Sequence, residues 1–216
     1  MEIIVENLTK EFDKNEVLKD VNLKLAEGKI YGFVGRNGSG KSVLFKVMCG
    51  FYKPTKGRVL IDEIDINKNE SFLPDARVLI EKPTFLPDIS GLENLKLLAS
   101  IQNKISEKEI NDSLDLVNLT IEERNKKYHK YSLGMKQKLA IAQVLMEDPT
   151  IMIFDEPFNG IEEKTRDSLK KIISNLKKNK IIIIASHMKE DIVDLCDEIY
   201  KIDSGIVTKI NDKDKL

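Results

Sequence analysis

Residues Gly35 to Ser42 read Gly-Arg-Asn-Gly-Ser-Gly-Lys-Ser, which fits G-x-x-x-x-G-K-[ST] with Gly35, Gly40, Lys41 and Ser42 in the fixed places. No other stretch constrains the fold as much, because a loop of this kind joins a strand to a helix. Glycines let backbone N–H groups curl around phosphate oxygens with no Cβ in the way. Lys41 can then reach the β- and γ-phosphates, and the Ser42 hydroxyl can ligate Mg²⁺. The expected nucleotide-binding segment is Gly35, Arg36, Asn37, Gly38, Ser39, Gly40, Lys41, Ser42 and Val43.

The flanks supply both elements. Tyr31-Gly32-Phe33-Val34 is a short apolar run, the pattern of a buried parallel strand. Lys41 to Cys49 reads as a helix stopped by Gly50. Its N-terminus points free N–H groups and the positive end of its dipole at the phosphates.

A chain of 216 residues suits one α/β domain with room for a subdomain. Its 35 basic and 36 acidic residues leave a net charge of −1, and neither half is strongly basic. Nucleic acid is therefore not an expected partner. Lys126-Lys127-Tyr128-His129-Lys130 reads as a solvated face. Cys49 and Cys196 fall in helical patterns and read as small buried hydrophobes, not a disulfide or a metal pair. Met1-Glu2 leads straight into a strand pattern, so no signal peptide is expected. No apolar run approaches the roughly 20 residues of a spanning helix. The expectation is a cytoplasmic protein that meets a membrane through a partner.

Along the chain, Glu2 to Leu8 reads as a first strand, and Val17 to Leu25 alternates as a strand with one wet face. Phe12 falls in a polar turn between them, either a platform for a nucleotide base or an ordinary anchor. Arg58 to Ile61 is another short strand. Pro74, Pro83 and Pro87 surround Arg77 to Glu81, a buried strand leaving the sheet into a loop that cannot be helical. Gly91 to Tyr128 is mostly helical in pattern, with Leu92, Leu95, Leu98 and Ile101 at helical spacing and a capping box at Ser106 to Glu109. Residues 88–131 read as a helical subdomain inserted into the α/β core. Ser132 caps a helix to about Glu147, and Ile151 to Phe154 is an apolar strand ending in Asp155-Glu156-Pro157. An amphipathic helix over Glu162 to Lys178 follows, then a buried strand over Ile181 to Ala185 with Ser186-His187 at its end. A helix to Cys196 and two strands (Glu198 to Ile202, Ile206 to Ile210) complete the fold, and the polar tail from Asn211 to Leu216 is expected to fray.

Parallel sheets gather their chemistry at the C-terminal ends of strands. Three strands here end usefully: in the P-loop, in Asp155-Glu156 and in His187. Asp155 is suited to hold Mg²⁺ with Ser42. Glu156 is suited to polarise an attacking water, a role worth about 10² to 10⁴ in rate. His187, on the same edge, is a candidate contact to the γ-phosphate. Ser132 is an N-cap candidate, and the helix behind it offers a second anion site.

Taken in order, the P-loop, the helical insert, Tyr131-Ser132-Leu133-Gly134-Met135, the strand with Asp155-Glu156, and Ser186-His187 resemble an ABC-type ATPase, the nucleotide-binding subunit of a membrane transporter. The resemblance covers essentially the whole chain as a single ATP-binding domain. It implies an α/β fold: a P-loop NTPase core with a mainly parallel sheet, an N-terminal antiparallel β subdomain and an inserted helical subdomain. It implies ATP and Mg²⁺, and a homodimer or ABC heterodimer closed by ATP. In that dimer Ser132, Leu133, Gly134 and Met135 of one subunit meet the γ-phosphate held by the other. Leu133 and Met135 depart from the usual Leu-Ser-Gly-Gly-Gln. Phe12 falls where the family stacks an aromatic on adenine. Glu81 stands at a loop position normally Gln, with reach to Mg²⁺ or the water. Asn159-Gly160-Ile161-Glu162 resembles the D-loop, with Glu162 where Asp is common. A separate transmembrane permease would hold the protein at the inner face of the membrane. Ser132 to Gln137 together with Gly91 to Leu95 resembles exporters that confer bacitracin or lantibiotic self-resistance, which implies a peptide antibiotic or drug as cargo.

Two alternatives stand beside this. A P-loop small-molecule kinase would not need Glu156 beside Asp155, which suits water as the nucleophile, nor a signature helix. A soluble ABC ATPase acting on ribosomes or DNA would usually show two cassettes or a long coiled-coil insert, and neither is present.

Overall fold

The computed structural model describes residues 1–68, 72–81 and 84–212. The chain runs through β1 (Glu2–Phe12), β2 (Asn15–Ala26), β3 (Lys29–Val34), α1 (Lys41–Met48), β4 (Lys56–Ile61), β5 (Ile64–Asp65) and β6 (Ala76–Leu79). Helices α2 (Gly91–Gln102), α3 (Glu107–Leu116) and α4 (Ile121–Arg124), a 3₁₀ turn (Tyr128–Lys130) and α5 (Leu133–Leu145) follow. The remainder is β7 (Ile151–Asp155), α6 (Glu163–Asn175), β8 (Ile181–Ser186), α7 (Lys189–Val193), β9 (Glu198–Asp203) and β10 (Ile206–Ile210). These group into two units, one of Met1–Glu81, Thr150–Glu156 and Lys177–Leu216, the other of Lys82–Pro149 and Pro157–Leu176.

The first unit is built on a six-stranded sheet in the order β10-β9-β3-β8-β7-β6. Its central strands are apolar because both faces are covered: every residue of β7 and β8 is buried, and all of β3 after Lys29. Parallel pairing sets Val34 opposite Ser186 and Asp155 opposite Ala185, so β3, β7 and β8 end level with one another. Phe33 anchors the core, edge-on to Phe45 at 5.4 Å and stacked on Tyr200 at 5.2 Å. A second, antiparallel sheet runs β2-β1-β4-β5.

Several local expectations shift. Phe12 is not in a turn but ends β1, paired with Asn15, because register shifts along β1 let the ladder run on past its polar residues. The Arg77 strand is an edge strand in which only Leu79 is fully buried, since β6 pairs with β7 alone. Helix α7 stops at Val193, and Cys196 lies beyond it, buried and outside any disulfide, as Cys49 is. Pro83 and the last four residues of the tail, 213–216, lie outside the described residues.

In the second unit three helices open with capping boxes: Ser90 with Glu93, Ser106 with Glu109, and Thr120 with Glu123. The expected stripe on α2 is rotated. Leu95 is buried but Ile101 is 76% exposed, and the inward face is Gly91, Asn94, Leu95 and Ala99. Asn94 turns that face inward. Its Oδ1 accepts from Leu86 N at 2.8 Å, and its Nδ2 donates to the carbonyls of Leu86 and Ser90 at 3.1 and 2.9 Å. Buried Arg124 closes the α3–α4 turn by donating to Leu119 O, to Asn111 Oδ1 at 3.0 Å and to Asp115. Among the described residues no helix is long and apolar enough to cross a membrane.

Candidate nucleotide site

The phosphate loop is held by close approaches that only glycine allows. Gly40 sits at φ 110°, and a Cβ there would lie 3.1 Å from Val17 O; a Cβ on Gly35 would lie 2.4 Å from Ile202 O. Gly40 caps α1 without a side chain, so the first N–H groups of that helix stay available. The Lys41 side chain is buried, and its Nζ donates to Gly35 O at 2.8 Å and Arg36 O at 3.3 Å, lying across the mouth of the loop. Val43 packs partly buried against the core.

Ser42 Oγ donates to Asp155 Oδ2, while Asp155 Oδ1 is buried with no hydrogen-bond partner. Burial raises the Asp155 carboxyl above its ordinary value; the Ser42 hydrogen bond opposes this, and the nearby charges of Glu156 and Glu81 add to it. A hydroxyl beside a desolvated carboxylate oxygen fits a hard cation that completes its shell with phosphate oxygens and water, which is the habit of Mg²⁺.

Glu156 follows β7 at φ 54°, a left-handed backbone fixed by its N–H donating to Ala185 O at 2.9 Å. Its Oε2 meets His187 Nδ1 at 2.8 Å; its Oε1 is 3.6 Å from Lys41 Nζ and has no hydrogen bond. His187, expected at the γ-phosphate, thus sits on the carboxylate of Glu156. Arg36, Asn37 and His187 also line a cleft of about 580 Å³ together with Lys189 and Lys201, two cations that the sequence pattern did not single out.

Phe12 is 39% exposed and meets Tyr52 edge-on at 5.5 Å, with Lys10 Nζ 4.8 Å from its ring centre. Glu81, at φ 65°, pairs with Lys46. That partner was missed, although the spacing from Ser42 to Lys46 puts both on one face of α1.

In the second unit Ser132 Oγ accepts from Met135 N at 3.2 Å and caps α5. Leu133 is 54% exposed, and a Cβ on Gly134 would meet nothing within 4 Å. Ser132 to Met135 therefore form an open helix end.

Residues 18–159 match the ABC transporter family. The ABC transporter ATP-binding protein YybJ of Bacillus subtilis is 40% identical over 94% of this chain and 93% of its own length. The bacitracin transport ATP-binding protein BcrA of Enterococcus faecalis is 35% identical over 98% of this chain and 70% of its own. The fold matches that of the ATP-binding cassette MJ0796, solved as a dimer bound to ADP and Pi, with a TM-score of 0.85 at 24% identity over 97% of this chain and 99% of that one. A P-loop level with Asp155, Glu156 and His187, and these similarities along nearly its whole length, agree: the chain belongs to the ABC transporter family, as an ATP-binding and ATP-hydrolysing subunit.

Proposed function

We propose that this subunit powers export of a peptide antibiotic or drug, with Glu156 as the base that activates water. The observation that carries the chemistry is the Glu156 carboxylate, fixed between His187 Nδ1 and Lys41 Nζ beside the phosphate loop. Likeness to a bacitracin transport protein is what supports the class of cargo.

In this reading ATP lies with its phosphates in the Gly35–Ser42 loop and its base on Phe12. Lys41 leaves the Gly35 and Arg36 carbonyls for the phosphates. Ser42 and Asp155 would hold Mg²⁺, with Glu81 as a further candidate ligand. Bound there, the ion supplies charge neutralisation on the phosphate oxygens. Glu156 takes a proton from water as the water oxygen bonds to the γ-phosphorus, and the bond to the β–γ bridging oxygen breaks. His187 orients the Glu156 carboxylate through Nδ1 and offers its other ring nitrogen to the γ-phosphate. Two copies of this chain, or this chain and a related cassette, pair so that the Ser132–Met135 helix end of each faces the γ-phosphate on the other. Hydrolysis then releases the clamp. The protein is one ABC ATP-binding domain with a helical subdomain over residues 88–131. That subdomain passes the motion to a separate permease at the inner face of the membrane, and the exposed Leu97 and Ile101, one turn apart on α2, favour such a contact.

Turnover in ¹⁸O-water tests the chemistry: labelled inorganic phosphate is expected. Transfer of the γ-phosphate to a metabolite instead would replace this reading with that of a kinase.

A further inference from the structure

Glu81 brings a third carboxylate close to Asp155 and Glu156: it pairs with Lys46 on α1, the helix whose Ser42 donates to Asp155. Such a site must also accept a triphosphate, so an unbalanced Glu81 would oppose the ligand. Its carboxylate is not unbalanced. It is paired to Lys46, whose side chain is 22% exposed and whose Nζ also lies 5.6 Å from the Tyr52 ring centre. Lys46 stands one helical turn beyond Ser42 on α1, about 5–6 Å away between Cβ atoms. A carboxylate held there is one helical turn along α1 from Ser42, the partner of Asp155. Its backbone, at φ 65°, is held in a conformation that glutamate rarely adopts.

We infer that Lys46 is a positioning residue that parks Glu81 one turn away from the Ser42–Asp155 cation site, so that this ion pair must open before Glu81 can approach a bound metal. The inference rests on the proposed role of Ser42 and Asp155 as metal ligands. Lys46 acts through its ion pair with Glu81. It sets the cost of recruiting Glu81, and the pairing neutralises Glu81 while the site is without metal.

The test is Mn²⁺ binding, read by EPR, to the full chain loaded with a non-hydrolysable ATP analogue. Lys46→Met should tighten Mn²⁺ binding by about two- to five-fold, the scale of a partly exposed ion pair. Lys46→Arg should keep the wild-type value. On top of Glu81→Gln, Lys46→Met should change nothing, because the parked charge is gone. An equal tightening in the Glu81→Gln background would mean that Lys46 acts as a general repelling charge, and the inference fails. It also fails if Lys46→Met has no effect while Asp155→Asn abolishes Mn²⁺ binding. Unchanged binding in Asp155→Asn removes the metal reading itself, and the inference with it.

Discussion

His187 Nδ1 lies 2.8 Å from Glu156 Oε2, so the histidine that follows β8 steadies the carboxylate that follows β7. Neighbouring parallel strands in register, with Asp155 opposite Ala185, make this contact possible. The free Oε1 is left facing Lys41 at 3.6 Å. A carboxylate oriented through one oxygen by the imidazole, its other oxygen buried beside Lys41 without a hydrogen bond, is suited to take a proton from water.

Glu156→Gln keeps the shape and removes the proton acceptor. ATP turnover should fall by about 10² to 10⁴, while ATP binding persists. Light scattering should then detect an ATP-dependent dimer. Wild-type turnover in this variant would remove Glu156 from the role of base.

Lys41→Ala deletes the cation that closes the phosphate loop. Loss of charge-assisted hydrogen bonds to phosphate should weaken ATP binding by roughly ten- to a hundred-fold. Calorimetry with ATP checks this, and an unchanged affinity would count against the loop as the phosphate cradle.

Ser132→Arg places a large cation at the open end of α5. Hydrolysis should be lost while the monomer still binds ATP, because the variant blocks the partner's site and not its own. Normal turnover would refute the paired arrangement. Ser132→Ala, which removes only the cap, should cost about 1 kcal/mol of stability.

Gly32→Ala tests the packing behind the phosphate loop. A Cβ there would lie 2.4 Å from Ile192 Cγ2 and 2.8 Å from Cys196 Sγ. Overpacking of this kind costs about 1–3 kcal/mol, enough to lower the thermal midpoint by several degrees. An unaltered melting curve would show that α7 gives way freely.

Glu198 carries a pH prediction. Burial raises its carboxyl, but the hydrogen bonds from Lys209 and Lys29 outweigh this and hold it below the ordinary value of 4.5. A carboxyl lowered by folding adds stability above that value and loses it as pH falls through the lower, folded one. Glu198→Gln should therefore melt below wild type at pH 7, and the two curves should converge under acid conditions. An equal gap at both pH values would mean that the residue acts through packing alone.

The order of the chemistry was legible in the sequence, and the reason is local. A phosphate loop needs its glycines and lysine at set spacings, buried parallel strands must be apolar runs, and Ser132, Ser106 and Asp155 declare themselves within a few residues of an element end. The sequence alone was therefore enough to identify the P-loop, the strand-end acids, the capped helices and the family. Tertiary structure decided what depends on distant segments meeting. The pairing register joined His187 to Glu156 across two strands; the backbone at Glu81 and the face of α1 brought that carboxylate to Lys46; and Asn94, by bonding the Leu86 backbone, chose which side of α2 turned inward. The first two contacts join residues 31 and 35 positions apart, and the third reaches from a helix back into the loop before it, so periodicity carries no information about any of them until the chain is folded.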